Sequence, residues 1–305
     1  MSISIDYLAS VFNSTLRYMT PILLVALCAG VCSKVKVFNI ALEGTLLISA
    51  FFAFLTQYFV RNIVVSVIVA VLVAMLVTFI MAFFIVQLKG QPMIVGMAIN
   101  TFAMGFTTFL LSVIFNTKGT VTDVTLKGLP KVTLPIISDI PVVSTMFASL
   151  TTVDYLAFIL AIVMFIIMYK TVIGFRLRAI GINDTAASSL GINVKRYQIV
   201  ATTLSGGMIG LAGCLLSLGS VTLFIQNISS ARGYVALAAN NLCQGHPLGA
   251  ILSSALFGFT TALSYVLQNT AAKQQLLNCI PYIATIVAMA VYNYILRRKA
   301  KARQL

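Results

Sequence analysis

Long runs of apolar residues, separated by short polar connections, are the dominant pattern along this 305-residue chain. Several runs exceed the roughly 20 residues that an α-helix needs to cross a bilayer. Apolar segments of near-spanning length lie at Leu16–Val31, Val37–Val60, Ile63–Leu88, Pro92–Phe115, Tyr155–Val172, Ile199–Leu218, Leu248–Leu267 and Pro281–Leu296. Shorter apolar pieces lie at Ile136–Phe147 and Tyr234–Leu242. The pattern predicts an all-α polytopic membrane protein, folded as a single transmembrane domain over residues 1–305.

Composition supports this class, because the chain is 60% hydrophobic and only 9% charged, whereas soluble domains carry about 25% charged residues. The net charge of +14 does not indicate a nucleic-acid partner. Five of the twenty basic residues lie in the last nine positions, so the charge is better explained as a topology signal. We therefore expect the basic tail, 297–305, to be cytoplasmic.

A polar loop at 173–197 interrupts the apolar pattern, and basic residues at its two ends predict that it lies in the cytoplasm. These residues are Arg176, Arg178, Lys195 and Arg196. The longest polar connection, 117–150, is one crossing away and is therefore expected to be extracellular. Its prolines and mixed charge suit an ordered lid, although a passive connector would have the same composition.

The middle of the 173–197 loop predicts a short helix. Asp184 is the expected N-cap and Gly191 the expected end. Between them, Ala186, Ala187 and Leu190 form an apolar stripe. A short surface helix with such a stripe has nothing of its own to bury, so we interpret it as a docking element; an ordinary interhelical loop is the alternative.

One further crossing is needed if both the 173–197 loop and the tail are cytoplasmic. The short segment Tyr234–Leu242 is the natural candidate, and it continues into glycine and proline at Gly245 and Pro247. Such residues at membrane depth mark broken helices, which are tolerated where they line a cavity.

Glu43 is the single glutamate of the chain and lies inside an apolar segment, on the same helix face as Asn39. A carboxylate at membrane depth costs several kcal/mol unless it is paired or faces water, which makes it a candidate functional residue. Three interpretations stay open: contact with a solute, a brace that accepts backbone N–H groups of a broken helix, or a position near the membrane interface.

Several amides accompany Glu43 in apolar or glycine-bearing segments. Each alone is typical of packing between helices. Together they supply uncharged donors and acceptors, which suit a neutral, hydroxyl-rich or heteroaromatic solute better than an ion. The candidate pathway residues are Asn39, Glu43, Asn100, Phe224, Asn227, Asn240 and Asn241.

Catalytic and cofactor motifs are missing from the sequence. It contains no phosphate-binding G-x-x-x-x-G-K-[ST] loop, no G-x-S-x-G and no H-E-x-x-H. His246 is the single histidine, and the five cysteines lie mostly in apolar segments as small hydrophobic residues. We therefore expect neither an enzyme nor a bound cofactor or metal.

The chain resembles a permease subunit of an ATP-binding-cassette (ABC) importer, in the branch that serves ribose-type sugars, nucleosides and branched-chain amino acids. The resemblance covers nearly the whole chain. It is carried by V-x-N-I-x-x-E-G, I-V-G-x-x-x-N, the coupling pattern G-x-R-L-R-A-x-G-x-N-x-x-A-A-x-x-x-G-I-x-V, G-[FY]-x-A-L-A-A and a counterpart of N-P-L-G-A. In this sequence they lie at Val37–Gly44, Ile94–Asn100, Gly174–Val194, Gly233–Ala239 and His246–Ala250.

This resemblance implies a fold of about 8–10 helical elements in two pseudo-symmetric halves with broken helices. It also implies a cytoplasmic ATPase subunit that uses ATP and Mg, a second permease that is more often a heterodimeric partner than a copy, and an extracellular solute-binding lipoprotein in a bacterial cytoplasmic membrane. The residues that would couple to the ATPase are Arg178, Gly181, Asn183, Asp184, Ala186, Ala187, Leu190 and Gly191.

Within the branch, the stretch Leu134–Val142 and the order Gly233-Tyr234-Val235-Ala236-Leu237 are similar to nucleoside-type permeases. Asn240 and Asn241 stand where relatives are apolar, so a simple sugar stays open as the solute. The alternative from another class is an ATP-independent secondary transporter of a small neutral solute. That mechanism would need a coupling-ion site, and no second intramembrane acid accompanies Glu43.

Overall fold

The computed structural model describes residues 5–117, 119–123, 125–132, 145–219 and 222–267, together with the helical positions 283, 287 and 290. The predictions for the tail 297–305, for the remainder of Pro281–Leu296 and for the stretch Leu134–Val142 lie outside the described residues.

Helices dominate the described residues, and two short strands interrupt them. The helices are α1 (Ile5–Lys34), α2 (Leu42–Val60), α3 (Ile63–Val86), α4 (Pro92–Phe115), α5 (Thr152–Lys170), α6 (Val172–Ile182), α7 (Asp184–Ser189), α8 (Val194–Leu218), α9 (Arg232–Cys243) and α10 (Pro247–Leu267). The strands β1 (Thr120–Thr122) and β2 (Leu223–Ile225) pair antiparallel, with Val121 opposite Phe224.

Seven helices within the described residues are long and apolar enough to cross a membrane: α1, α2, α3, α4, α5, α8 and α10. The predicted class of an all-α, multi-pass membrane protein is therefore confirmed. Helix α4 begins and ends where the apolar pattern predicts. Helix α1 starts earlier than expected because its polar first turns are also helical; there Asn13 donates to the carbonyl groups of Met146 and Ala148.

Helix α8 lies at the centre and packs against α1, α2 and α3. Small residues on α8 allow this close packing, as is common between membrane helices. A Cβ at Gly210 would lie 2.5 Å from Val71 Cα, and one at Gly213 would lie 2.7 Å from the Ala50 nitrogen. The helix axes can approach so closely because glycine occupies both positions.

The molecule has two distinct ends. We call one the hairpin end; it carries β1 and β2, and here Gln57 donates to the Lys127 carbonyl and the Leu129 amide to the Leu218 carbonyl. We call the other the basic end; it carries α6 and α7, and here Lys36 pairs with Asp184. Helix α1 runs from the hairpin end to the basic end.

Helices α2 and α9 also differ from the lengths that hydropathy indicates. Helix α2 begins at Leu42 and not at Val37, since residues 37–40 are non-helical and reach into the bundle. Helix α9 is short: it begins inside the bundle and ends at the basic end, where Lys34 Nζ donates to the Gln244 carbonyl. Together with the irregular segment 226–231, α9 lies where a broken crossing was expected for Tyr234–Leu242, but it is not among the helices within the described residues that are long enough to span a membrane.

Candidate functional site

The starts of α2 and α9 meet inside the bundle at what we call the interior junction, formed by Glu43, Asn100, Ser229, Ala231 and Gly233. Glu43 lies in the first turn of α2 and is 8% exposed. Its Oε1 accepts from Ser229 Oγ and from the Ala231 amide at 2.8 Å, and its Oε2 accepts from the Gly233 amide at 2.7 Å. The carboxylate therefore caps the start of α9, where the helix dipole favours negative charge.

Helix α9 needs this contribution because its own N-cap position, Ala231, has a left-handed backbone and no capping side chain. Unpaired amides at a helix start inside an apolar bundle are costly. The geometry supports the brace interpretation of Glu43, in which the carboxylate is used by protein groups. The backbone it holds belongs to α9, almost two hundred residues away, and not to its neighbour Gly44.

The start of α2 is likewise capped by a side chain of another helix. Its N-cap residue Ala41 provides no side-chain hydrogen bond. Asn100 of α4 accepts from the Gly44 amide at 2.8 Å and donates to the Ile40 carbonyl at 3.0 Å and to Tyr234 Oη at 2.9 Å. A continuous series of caps therefore runs from α4 to α2 and from α2 to α9.

Three glycines let these elements approach. A Cβ at Gly44 would lie 2.8 Å from Asn100 Cα, one at Gly233 would lie 2.6 Å from Glu43 Cα, and one at Gly96 would lie 2.8 Å from Ile40 Cβ. The three corresponding sequence motifs, distant along the chain, thus form a single contact region.

Asn39 and Asn240 lie beside this region, and each is 2% exposed. Asn39 Nδ2 lies 3.8 Å from Cys32 Sγ, and Asn240 Nδ2 donates to Ser33 Oγ at 3.0 Å. Both amides therefore attach their segments to the last turns of α1. Each amide oxygen has no hydrogen-bond partner within the described residues.

A cavity of about 410 Å³ opens on the hairpin side of the interior junction, between α1, α5, α8, α10 and the segment 225–232. We call it the vestibule. Tyr18 and Tyr265 stack at its wall, with ring centroids 5.0 Å apart and planes 12° apart. The polar residues that line it are Ser14, Arg17, Thr151, Asp154, Gln226, Asn227, Ser230 and Arg232.

The candidate pathway residues divide between different places. Asn227 lines the vestibule. Phe224 does not line it: the side chain is 1% exposed and packs against Phe51 and Phe54, at 5.2 and 6.3 Å between ring centroids. Asn241 is exposed near the end of α9, away from the vestibule. An aromatic residue in an apolar stretch cannot reveal from sequence whether it faces a cavity or a core.

Sequence reasoning did not select several vestibule residues, including Arg17, Tyr18 and Arg232. A signal was available, because Arg17 is a charged residue within a membrane-spanning helix. Asp154 carried a similar signal. It is 4% exposed, accepts from Thr20 Oγ1, and forms a capping box with Thr151 at the start of α5.

At the basic end, the predicted loop 173–197 is mostly helical. Helix α6 follows α5 after a break at Thr171, and its Gly174, Leu177 and Ile180 are buried. Helix α7 has the predicted place, but Asn183 is its N-cap and not Asp184: the Asn183 side chain accepts from the Ala186 amide at 3.1 Å. Both residue types cap well, so the sequence could not decide between neighbours.

Asp184 lies instead in the first turn of α7, where Lys36 Nζ donates to its Oδ1 at 3.1 Å. This hydrogen bond, more than any other contact, lowers the pKa of Asp184. Arg178 lies over the Tyr169 ring at 4.7 Å, and Gly181 lies against the Lys34 carbonyl. These contacts hold α6 and α7 against the end of α5 and against the end of α1 with the turn that follows it.

The apolar stripe of α7 is divided in the structure. Ala187 is 3% exposed and packs inward, whereas Ala186 is exposed and Leu190 is 81% exposed. Gly191 has a φ of +79° and follows the last turn, so the predicted end of the helix is confirmed. The element therefore has one face fixed to the bundle and another that is free for a partner.

Comparison with known proteins identifies relatives over almost the full chain. A family model described as "Branched-chain amino acid transport system / permease component" matches residues 11–292. NupQ, a guanosine ABC transporter permease of Bacillus subtilis, is 30% identical in an alignment of length 296 that covers 93% of this chain and 92% of NupQ. NupC, a nucleoside ABC transporter permease of Lactococcus lactis, is 28% identical in an alignment that covers 94% of this chain and 93% of NupC.

A third relative carries a different solute name. TsgC13 of Haloferax volcanii, whose name assigns it provisionally to glucose transport, is 26% identical over 98% of this chain and 95% of its own. Among solved structures, a metal-chelate type ABC transporter in an inward-facing conformation aligns with a TM-score of 0.50 and 12% identity, covering 96% of this chain and 86% of that one. That likeness shows the fold alone.

Proposed function

The chain belongs to the family of branched-chain amino acid transport system permease components, and from this premise we propose that it forms part of the translocation pathway of an ATP-driven nucleoside importer. As a permease component it is a membrane-spanning subunit and not an enzyme. The names of NupQ and NupC support the nucleoside assignment.

The vestibule is the structural observation that supports a nucleoside as the transported solute. Its volume of about 410 Å³ accommodates a small polar molecule. Stacked Tyr18 and Tyr265 offer an aromatic face for a heteroaromatic base, and Gln226 and Asn227 offer amides for hydroxyl groups. A simple sugar is the second candidate, favoured by the name of TsgC13; it would use the amides without the aromatic face.

Helices α6 and α7 supply the coupling. Ala186 and Leu190 are exposed on an element that is itself fixed to α1 by the Lys36–Asp184 pair. We expect an ABC ATPase subunit, which binds ATP and Mg, to dock on this exposed face. Movement of α7 would pass to the end of α1 and, through the Lys34–Gln244 contact, to α9.

The remaining partners complete the importer. They are a second, homologous permease, different from this chain, and an extracellular solute-binding lipoprotein that delivers the solute at the hairpin end. Basic residues at the opposite end suit the cytoplasmic side of a bacterial plasma membrane. In this orientation α1 starts outside, and the segment around β1 lies outside as part of the 117–150 lid.

Affinity purification of the detergent-solubilised chain, with mass spectrometry of the proteins that accompany it, tests the assembly. We expect an ATPase subunit and a second permease, and reconstitution of that complex should give ATP-dependent uptake of labelled guanosine in excess of labelled glucose. Faster glucose uptake would replace the nucleoside by a sugar. A chain that purifies alone and transports without ATP would overturn the importer and leave the secondary transporter.

A further inference from the structure

A second cavity, of about 390 Å³, lies at the basic end between α6 and the start of α8. We call it the basic groove; it is lined by Arg176, Arg196, Tyr197, Val200 and the turn 190–193. Arg176 Nη1 donates to Tyr197 Oη at 2.7 Å, and the guanidinium lies 6.0 Å from the centre of the same ring. The Arg176 side chain is thus held in place at the wall of the groove.

The charges of the basic groove are not balanced by acidic side chains. No carboxylate lines it, and the one ion pair within the described residues joins Lys36 to Asp184 elsewhere on this end. The groove also includes the start of α8, where the helix dipole adds positive potential. Two guanidinium groups with a hydroxyl and a helix start favour an anion, and phosphate suits guanidinium geometry well.

The position of the basic groove indicates where that anion comes from. Arg196 is the third residue of α8, a helix long and apolar enough to cross a membrane, so we expect it at the level of the lipid headgroups. Val200 and Leu204 follow on the same face one and two turns deeper and are 47% and 61% exposed. Ile173 and Phe175 do not line the groove, but they belong to α6, which contributes Arg176, and are 57% and 66% exposed. A water-soluble anion would leave these apolar side chains uncovered, whereas acyl chains would cover them.

We propose that the basic groove binds an anionic phospholipid, with its phosphate between Arg176 and Arg196 and an acyl chain along Val200 and Leu204. Basic pockets at the cytoplasmic side of membrane helices are suited to such headgroups. Leu190 and Gly191, which end α7, form the opposite rim. A bound lipid therefore stabilises α7 in position, and the state of the membrane influences coupling. This inference does not depend on the identity of the solute.

The purified transport complex in nanodiscs tests the proposal, with phosphatidylcholine alone or with added phosphatidylglycerol as the probe. The measurements are the unfolding temperature of the complex and the phosphatidylglycerol that native mass spectrometry finds retained after delipidation. We expect phosphatidylglycerol to raise the unfolding temperature of the wild type, because a ligand that binds the folded state stabilises it. The double variant Arg176→Gln/Arg196→Gln should lose both this rise and the retained lipid.

Three further variants make the test specific. Lys195→Gln removes a neighbouring exposed charge that does not line the groove and should keep both effects. Arg196→Lys keeps the charge and should retain most of them. Val200→Glu, at an exposed position, should abolish them even if the double variant fails to assemble.

Two results would overturn the proposal. One is an equal phosphatidylglycerol-dependent rise in the wild type and in the Val200→Glu or double variant. The other is loss of the ATPase subunit from the double variant to the same extent in both kinds of nanodisc, which would make the groove a protein contact. A variant that loses only the lipid effects, with normal subunit composition, supports the lipid site.

Discussion

Glu43 Oε2 accepts a hydrogen bond from the Gly233 amide at 2.7 Å, although the two residues are 190 positions apart. This contact joins the starts of α2 and α9, two helices that begin inside the bundle without capping side chains of their own. A membrane interior offers little water to satisfy free amides, so each start depends on another element. The capping contacts therefore tie α4, α2 and α9 together.

Glu43→Ala should destabilise the protein strongly. The substitution leaves the Ala231 and Gly233 amides without their acceptor, and each buried unsatisfied donor costs about 1–3 kcal/mol. We expect a loss of roughly 2 kcal/mol or more in unfolding free energy, measured by detergent titration. Ser229→Ala removes a single hydroxyl donor and should cost about 1 kcal/mol. Equal effects of the two variants would contradict the capping role.

Gly233→Ala should be damaging although it adds one methyl group. The new Cβ would meet the Glu43 backbone at 2.6 Å, so the two helix starts would have to move apart. Overpacking of this kind costs about 1–3 kcal/mol. Gly105→Ala in α4 is the matched control, since a Cβ there meets nothing within 4 Å. It should be neutral or stabilise by up to about 1 kcal/mol through helix propensity. The unfolding temperatures of the two variants test this prediction: only Gly233→Ala should lower the unfolding temperature, and equal unfolding temperatures would contradict it.

Substitutions in α7 should separate docking from folding. Leu190→Asp and Ala186→Arg change exposed positions, so we expect normal membrane insertion but loss of solute-stimulated ATPase activity in the complex. Ala187→Arg instead places a charge at a buried position and should reduce the stability of the subunit itself. Normal coupling in the Leu190 and Ala186 variants would remove the docking assignment.

The Lys36–Asp184 ion pair should stabilise the folded protein to an extent that depends on pH and salt. The pKa of Asp184 is lowered by Lys36, so the folded state favours the ionised carboxylate. This stabilisation is therefore present at neutral pH. It is lost as the pH falls below 3.8, the ordinary pKa of an aspartate side chain, and then through the lowered pKa of Asp184. Both side chains are exposed, so the effect is small and weakens with salt. Hydrogen exchange can measure how well the amides of α7 are protected. In the wild type this protection should decrease at acid pH, and in Asp184→Asn that decrease should be absent.

The amides of the pathway hypothesis should fall into two classes. Asn227 lines the vestibule, so Asn227→Ala is expected to lower solute uptake while expression and unfolding temperature stay normal. Asn39, Asn100 and Asn240 bond to neighbouring segments, so alanine at these positions is expected to lower the unfolding temperature first. Uptake that falls only with the amount of folded protein would assign all four to packing.

The apolar periodicity of the chain determined the class and most of the spanning helices, and it predicted a broken crossing near α9. These features follow from local composition, because a bilayer requires long apolar helices whatever their packing partners are. Glu43 also stood out from sequence, since an isolated carboxylate at membrane depth is rare. Its partners did not, because hydrogen bonds between distant segments leave no local pattern.

Tertiary structure decided which side chains face a cavity and which face the core. Phe224 and Asn227 lie three positions apart, yet one packs into an aromatic cluster and the other lines the vestibule. Asn183 and Asp184 were equivalent candidates for the N-cap from sequence, whereas in the structure Asn183 caps α7 and Asp184 pairs with Lys36. The sequence by itself determined that this is a multi-pass membrane protein with some polar groups inside its apolar segments. The direction and the contacts of each polar group depend on elements brought together only by folding, so the three-dimensional packing alone could decide them.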